Sequence, residues 1–191
     1  LLRCVTASVH GAVDPSALRA EGVDPGAIID FSSNQSPLGA APGVAAAVAG
    51  AVGGVVGRAL AERSAEVIVE NGGDLYLQGM KERVVAVFAG TNPLSGKLGV
   101  KIRPEDGLGV CTSSGTFGHS LSFGRADAAL VIARDPALAD AAATKLGNLI
   151  RSETDIENAL NEVFCVKGVV GALAIAGNQL GVKGEIELAA L

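Results

Sequence analysis

Glycine-rich turns divide this chain into short apolar runs, and that pattern is the strongest constraint on its fold. The 191 residues include 26 Gly, close to twice the usual share of about 7 %, without a collagen-like repeat at every third position. Strand-forming runs return at spacings of roughly 8 to 15 residues. They cover residues 65–69, 75–77, 83–89, 98–103, 108–112, 128–133, 169–176 and 185–188. This pattern predicts a mainly antiparallel meander, whose last two strands pair across residues 177–179.

The segment 43–60 consists almost wholly of Ala, Val and Gly, and its spacing predicts a helix. Valines recur on one face of that helix, at Val44, Val48, Val52, Val55 and Val56. Each Gly costs a helix about 1 kcal/mol relative to Ala, so we expect tertiary packing to hold this helix, most simply against a sheet. Its many small residues would also let another backbone approach closely.

Two further helices are predicted by their start signals. Asp135 followed by Pro136 is typical of an N-cap and a first helical residue, and this helix is expected to run to about residue 149. Thr154 and Glu157 have the spacing of a capping box at the start of the next helix. Because the predicted strands do not alternate regularly with these helices, the order of elements indicates the α+β class.

Charge and composition exclude several functional classes. The net charge is −5 and no Lys/Arg cluster is present, so we expect no nucleic-acid partner. The longest uncharged apolar run, residues 42–57, is shorter than the ~20 residues of a membrane span, so no membrane association is expected. With three widely separated cysteines and no recognisable leader, the pattern predicts a cytoplasmic protein with reduced thiols. Residues 1–41 form a Pro-rich segment whose role the sequence leaves open.

The first candidate site motif is a break between two predicted strands, at Asn71, Gly72, Gly73 and Asp74. Paired Gly residues permit positive φ angles and leave backbone N–H groups bare, so such a turn can hold a phosphate or the edge of a ring. A plain hairpin turn explains the same residues, because Asn-Gly is the strongest short hairpin signal. Both interpretations stay open at this point.

A second motif is rich in hydroxyl groups and follows a predicted strand. Its members are Thr112, Ser113, Ser114 and Gly115, with His119 close behind. Small hydroxyl residues and Gly offer hydrogen-bond donors to anionic oxygens, and His119 could act as a general acid or base. The alternative is an ordinary polar loop that carries a surface histidine.

Two pairs of polar residues could complete such a site. Asp140 and Thr144 are four residues apart on a predicted helix, so they share one face, and a carboxylate beside a hydroxyl suits Mg²⁺. Alternatively, Asp140 faces solvent and Thr144 bonds back to its own helix. Arg125 could bind a phosphate that Asp127 orients, although a solvated turn explains that pair as well.

Taken in order along the chain, three of these motifs resemble the ApbE-like superfamily. They are residues 69–74 (Val-Glu-Asn-Gly-Gly-Asp), residues 112–115 (Thr-Ser-Ser-Gly) and residues 139–144 (Ala-Asp-Ala-Ala-Ala-Thr). Enzymes of this superfamily are FAD:protein FMN transferases, and the greatest similarity is to its uncharacterised prokaryotic branch. The resemblance covers about residues 44–190 and implies a T-fold-like α+β structure in which helices pack on one side of a mainly antiparallel sheet. The length of the chain fits a single domain, so residues 1–191 are expected to form one ApbE-like domain.

The resemblance also implies a site and an activity. Mg²⁺ would be held by Asp140 and Thr144, and FAD or FMN would lie near the turn at residues 71–74 and the loop at residues 112–115. The chain is therefore expected to bind a flavin or another nucleotide phosphate with Mg²⁺. As an enzyme it would transfer a phosphoryl or FMN group, with His119 as its proton carrier.

A non-catalytic ligand-binding or assembly module is the alternative. Transferases of the superfamily carry a Lys-Gly segment where this chain has residues 43–60, which contain no Lys. In a protein that kept the fold and lost flavin transfer, the small-residue helix could pack against a partner subunit of a homo-oligomer.

Overall fold

Helices and strands follow one another irregularly along this chain. The computed structural model describes residues 42–116 and 123–191, and it describes side chains for Val48 and from residue 50 onward. The helices in these ranges are α1 (Pro42–Ala61), α2 (Pro136–Leu149) and α3 (Ile156–Phe164). The strands there are β1 (Val67–Asn71), β2 (Asp74–Gln78), β3 (Arg83–Ala86), β4 (Leu98–Ile102), β5 (Leu108–Ser113), β6 (Ala128–Ala133), β7 (Val169–Ala176), β8 (Gln179–Gly184) and β9 (Glu187–Ala190). Within the described ranges, no helix is both long enough and apolar enough to span a bilayer.

The strands form two antiparallel sheets. The larger sheet has the order β1-β2-β5-β6-β7-β8, and the smaller has the order β3-β4-β9. The expected α+β class with mainly antiparallel sheets is therefore confirmed. The expected closing hairpin is wrong, because β7 pairs with β8 rather than with residues 185–188, and β9 joins the smaller sheet. Gly184 has a φ of 79°, a conformation that favours glycine, at the point where the chain leaves one sheet for the other.

The helices pack on one face of the larger sheet, as expected, and the smaller sheet covers part of the opposite face. Strand β6 lies at the centre and is buried along its whole length, which explains its unbroken apolar sequence. Its Ala129 and Val131 face the helix-side core together with Leu146 of α2. Its Leu130 and Ile132 face the second core, between the two sheets.

Helix α1 turns Gly50 and Gly57, rather than Val48 and Val55, toward the rest of the protein. Gly50 and Gly57 are buried, whereas Val48 and Val55 are 49 % and 64 % exposed. A Cβ at Gly57 would lie 2.0 Å from the ring of Tyr76 on β2. The expected packing against a sheet is thus confirmed, but the glycine face provides the close approach and two of the valines of the repeating face remain largely in solvent.

The start of α2 follows the predicted capping pattern. The Asp135 carboxylate accepts hydrogen bonds from the N–H groups of Ala137 and Leu138, at 2.9 and 3.3 Å, and Pro136 is the first helical residue. The capping box before α3 differs from the expectation. Its carboxylate belongs to Asp155, which accepts from the Ser152 N–H at 2.8 Å, because a short 3₁₀ turn (Glu153–Asp155) precedes the helix.

Candidate functional site

A tight hairpin joins β1 to β2 at the first predicted motif. Gly72 and Gly73 have φ angles of 65° and 100°, as a two-residue turn of this hand requires. The Gly73 N–H donates to the Glu70 carboxylate at 2.9 Å. A Cβ added at either glycine would meet no described atom within 4 Å, so this side of the turn is open. The hairpin interpretation therefore holds for the backbone, and the turn keeps space for a ligand on its outer side.

Asp74 leaves this turn pointing toward the helices. It lies directly opposite Cys111 on β5, and directly opposed residues point to the same face of a sheet. Cys111 belongs to the helix-side core, which places the Asp74 carboxylate on that face too. Asn71, which pairs with Asp74 across the turn, is buried, and Asp74 itself is half-buried.

The carboxylate of Asp140 lies close enough to Asp74 for their charges to interact. Burial first, and then the charge of Asp140, raise the pKa of Asp74 to about 7, although a hydrogen bond from the Cys111 thiol acts to lower it. Asp140 is only 5 % exposed, and burial raises its pKa to about 6 despite a hydrogen bond from the Gly50 N–H at 3.3 Å. The solvent-facing alternative for Asp140 is therefore wrong.

Cys111 is a neighbour of Asp74 to which the sequence assigned no role. Its thiol has a single hydrogen and two acceptors within reach, the Pro136 carbonyl oxygen at 3.6 Å from the sulfur and the Asp74 carboxylate. Burial and the charge of Asp74 raise the pKa of this thiol far above its ordinary value, so it stays protonated and acts as a donor. Finding it would have required the register of β2 on β5, which no local signal reveals.

The second predicted motif is divided between two faces of the sheet. Thr112 pairs with Leu130, which lies in the core between the sheets, so its side chain points away from the helices. Ser113 shares the helix-facing side with Cys111, and its hydroxyl lies 3.5 Å from the position of a Cβ at Gly147 of α2. Of this pair, only Ser113 therefore presents its side chain to the face that carries Asp74.

The end of the motif has a packing role. A Cβ at Gly115 would lie 2.3 Å from the Gly124 carbonyl oxygen, so only glycine fits there. The Gly115 N–H donates to the Ala126 carbonyl at 2.8 Å, and the Ser114 hydroxyl accepts from the Thr116 N–H at 3.2 Å. His119 lies outside the described residues.

Asp127 ties three loops together. Its carboxylate accepts from the Thr116 hydroxyl at 3.0 Å, from the Asn92 amide at 2.9 Å and from the Gly177 N–H at 2.9 Å. The backbone N–H of Arg125 donates to the Ile150 carbonyl at 2.7 Å. The Asp127 carboxylate is thus engaged in holding the loops at this end of the sheet.

The donors around Asp140 fit a hard divalent cation. Thr144 follows one turn later on α2 and is half-buried, and its hydroxyl makes no hydrogen bond to any described residue. No Lys or Arg of the described chain shifts the pKa of Asp74 or Asp140. The described ranges hold no cluster of three or more His, Cys, Asp or Glu that could bind a metal alone. Mg²⁺ is commonly held by one or two carboxylates, with phosphate oxygens and water completing the shell, so this donor set suits it.

This chain is similar to known proteins in family, in sequence and in structure. The family model described as AbpE bacteria matches residues 34–173. A UPF0280 protein of Methanothrix thermoacetophila is 43 % identical over 130 residues, which cover 67 % of this chain and 54 % of the relative. A UPF0280 protein of Methanocella arvoryzae is 45 % identical over 130 residues, covering 67 % and 53 %. The chain thus spans about half the length of these relatives. The crystal structure of the Pseudomonas stutzeri flavinyl transferase ApbE, apo form, matches at a TM-score of 0.45 and 20 % identity, over 75 % of this chain and 46 % of that one.

Proposed function

Because the chain belongs to the family that the AbpE bacteria model describes, we propose that it binds a flavin or another nucleotide phosphate together with Mg²⁺. The observation that carries this proposal is the pair of acidic side chains at Asp74 and Asp140. Both carboxylates are held in a desolvated position where their charges repel, and no described Lys or Arg offsets them. A buried charge with no opposite charge beside it is costly, so such a pair gains most from a bound cation.

Each part of the site has a role in this proposal. Asp140 and Thr144 would hold the metal, with Asp74 adding charge from β2. The glycines of the hairpin turn would admit the phosphates or the ring edge of the nucleotide. When bound, Mg²⁺ would neutralise phosphate charge and polarise a phosphoryl oxygen, which favours transfer of a phosphoryl or FMN group. His119 remains the proposed proton carrier.

A non-catalytic binding module is the second candidate. Its support is the absence of Lys in residues 43–60, which leaves no basic clamp on α1 beyond Arg58. Arg58 is paired with Asp135 at 3.5 Å. The glycine face of α1 is already occupied by Tyr76 and α2, so a partner subunit would have to use the opposite face, where Val48 and Val55 are exposed. A ligand-binding module would bind without turnover, and an assembly module would need no ligand at all, whereas the first candidate predicts binding with turnover.

The test measures FAD binding by flavin fluorescence with and without Mg²⁺. We expect the wild type to bind FAD in a Mg²⁺-dependent manner and Asp140→Asn to lose that dependence. Asp106→Asn is a matched control, because it removes the same charge from a side chain that is 87 % exposed. If the wild type and Asp140→Asn bind FAD equally with and without metal, or neither binds it, the proposal fails.

A second assay separates the two candidates. The wild type is incubated with FAD and Mg²⁺, and the products are resolved by chromatography. Release of AMP, together with FMN either free or attached to an acceptor, supports catalysis. Intact FAD after prolonged incubation with a protein that binds it supports the non-catalytic module.

A further inference from the structure

Helix α1 reaches the candidate site through the backbone of Gly50. The Gly50 N–H donates to the Asp140 carboxylate, with 3.3 Å between nitrogen and Oδ2, and this contact is buried. Gly50 lies near the middle of α1, and Asp140 lies in the second turn of α2. One hydrogen bond thus joins the middle of the glycine-rich helix to the carboxylate that we propose as a metal ligand.

The contact depends on the absence of a side chain at residue 50. A Cβ there would lie 2.6 Å from the Pro136 carbonyl oxygen and 2.9 Å from the Cβ of Asp140, closer than real Cβ atoms come. Gly109 on β5 likewise lets α2 approach closely from the sheet side, because a Cβ at Gly109 would lie 2.4 Å from the Pro136 Cα. The first turns of α2 are therefore fitted between two glycines, one on α1 and one on β5.

The nature of the donor matters for binding a cation. A Lys or Arg beside Asp140 would orient the carboxylate but would also neutralise its charge. A backbone N–H is a neutral donor that occupies one lone pair of one oxygen. The negative charge and the remaining lone pairs stay available for a metal.

We propose that Gly50 is the positioning residue for the Asp140 carboxylate, so that α1 forms part of the metal site through its backbone. This inference rests on the proposed function. It assigns to the Ala/Val/Gly helix a role other than packing, and it explains why a residue with low helix propensity stands in the middle of a helix at this point.

The test compares two alanine variants of the same helix. Gly50→Ala inserts a methyl group against α2, whereas Gly53→Ala is a matched control, because a Cβ at Gly53 would meet nothing within 4 Å. Bound Mn²⁺, a paramagnetic substitute for Mg²⁺, is counted by electron paramagnetic resonance in the presence of FAD. Measurements are made below the onset of thermal unfolding, which circular dichroism establishes for each variant.

We expect Gly50→Ala to weaken Mn²⁺ binding roughly tenfold, as loss of a hydrogen bond to a charged group does, and Gly53→Ala to bind like the wild type. Since Gly50→Ala is also expected to lower stability, it is measured a second time in the Gly53→Ala background, where added helix propensity offsets part of that loss.

The outcomes separate the inference from the proposed function. Unchanged Mn²⁺ binding in a folded Gly50→Ala variant overturns the positioning role and leaves the metal site intact. A variant that fails to fold even in the Gly53→Ala background overturns it too, because Gly50 would then serve the fold itself. Absence of Mn²⁺ binding by the wild type overturns the proposed function, and the positioning role with it.

Discussion

The charge of Asp140 on α2 raises the pKa of Asp74 at the start of β2, although the two residues belong to different elements and lie far apart in the sequence. Burial acts in the same direction on both carboxylates. The folded chain therefore concentrates negative charge at the point where α2 crosses the end of the first hairpin. Two acidic side chains so close together destabilise the metal-free protein and favour the binding of a cation. Four predictions follow from this pair of carboxylates and from the packing of the helices and loops around it.

The first prediction concerns the pH dependence of stability without metal. The pKa of Asp140 is about 6 in the folded protein against 3.8 for the free side chain, so folding favours its protonated form. That stabilisation is complete below about pH 4 and is lost as the pH rises through 6. Asp140→Asn, which can still accept from the Gly50 N–H, should therefore be more stable than the wild type by roughly 2 to 3 kcal/mol at pH 8 and nearly equal to it at pH 4. Urea denaturation in EDTA at both pH values measures this difference, and a constant difference would contradict it.

The second prediction concerns stabilisation by Mg²⁺. Metal ligands must be deprotonated, so Mg²⁺ should raise the thermal midpoint of the wild type at pH 8 and have little effect at pH 5. Asp140→Asn should show no such rise at either pH. Differential scanning calorimetry over a series of Mg²⁺ concentrations measures the shift. An equal rise in the wild type and Asp140→Asn would mean that the ion acts elsewhere on the protein.

The third prediction concerns the close packing of α1 on β2. Gly57→Ala would place a methyl group 2.0 Å from the Tyr76 ring, which cannot move aside easily because it is buried and its hydroxyl donates to Gln78. We expect a loss of about 1 to 3 kcal/mol in unfolding free energy. Gly53→Ala on the same helix should gain up to about 1 kcal/mol. Urea denaturation followed by circular dichroism measures both, and Gly57→Ala with wild-type stability would show that α1 does not lie as close as described.

The fourth prediction concerns the hydrogen bonds that the Asp127 carboxylate accepts from three loops. Asp127→Ala leaves the donors of Thr116, Asn92 and Gly177 without their common acceptor, so we expect a loss of about 2 kcal/mol. The Gly177 amide should exchange with deuterium faster in this variant. Asp106→Ala removes an exposed carboxylate and should change neither quantity. If the Gly177 amide of Asp127→Ala exchanged at the same rate as in the wild type, the Asp127 hydrogen bond would not be what holds that loop.

Local signals predicted the elements whose ends are marked by the chain itself. Helix α2 begins at Pro136 and ends at Leu149, as its cap and length indicate, because an Asp side chain satisfies helical N–H groups only a few residues away. Strands β6 and β7 have the expected bounds, because buried central strands are unbroken apolar runs. The turn at Gly72 and Gly73 is equally local, since it needs two residues that accept positive φ.

Contacts between distant segments could not be predicted in the same way. The composition of residues 43–60 indicated a helix that needs tertiary support, but not that Gly50 and Gly57 would face the protein while Val48 and Val55 stay exposed. The place of β9 has the same origin, because it pairs with β4, which lies far away in the sequence. The β7–β8 hairpin, by contrast, is local, because only Gly177 and Asn178 connect the two strands and Gly177 has a positive φ.

The sequence by itself determined the α+β class, the turn at residues 71–74 and the helix that carries Asp140 and Thr144, since each depends on backbone preferences and spacing within one segment. Only the tertiary structure decided that Asp74 meets Cys111 across β2 and β5, that Gly50 donates to Asp140, and that Thr112 and Ser113 point to opposite cores. The physical reason is that register and facing are set by how whole elements bury their surfaces against one another. Charges, thiols and bare N–H groups from three elements become neighbours only once that packing is complete.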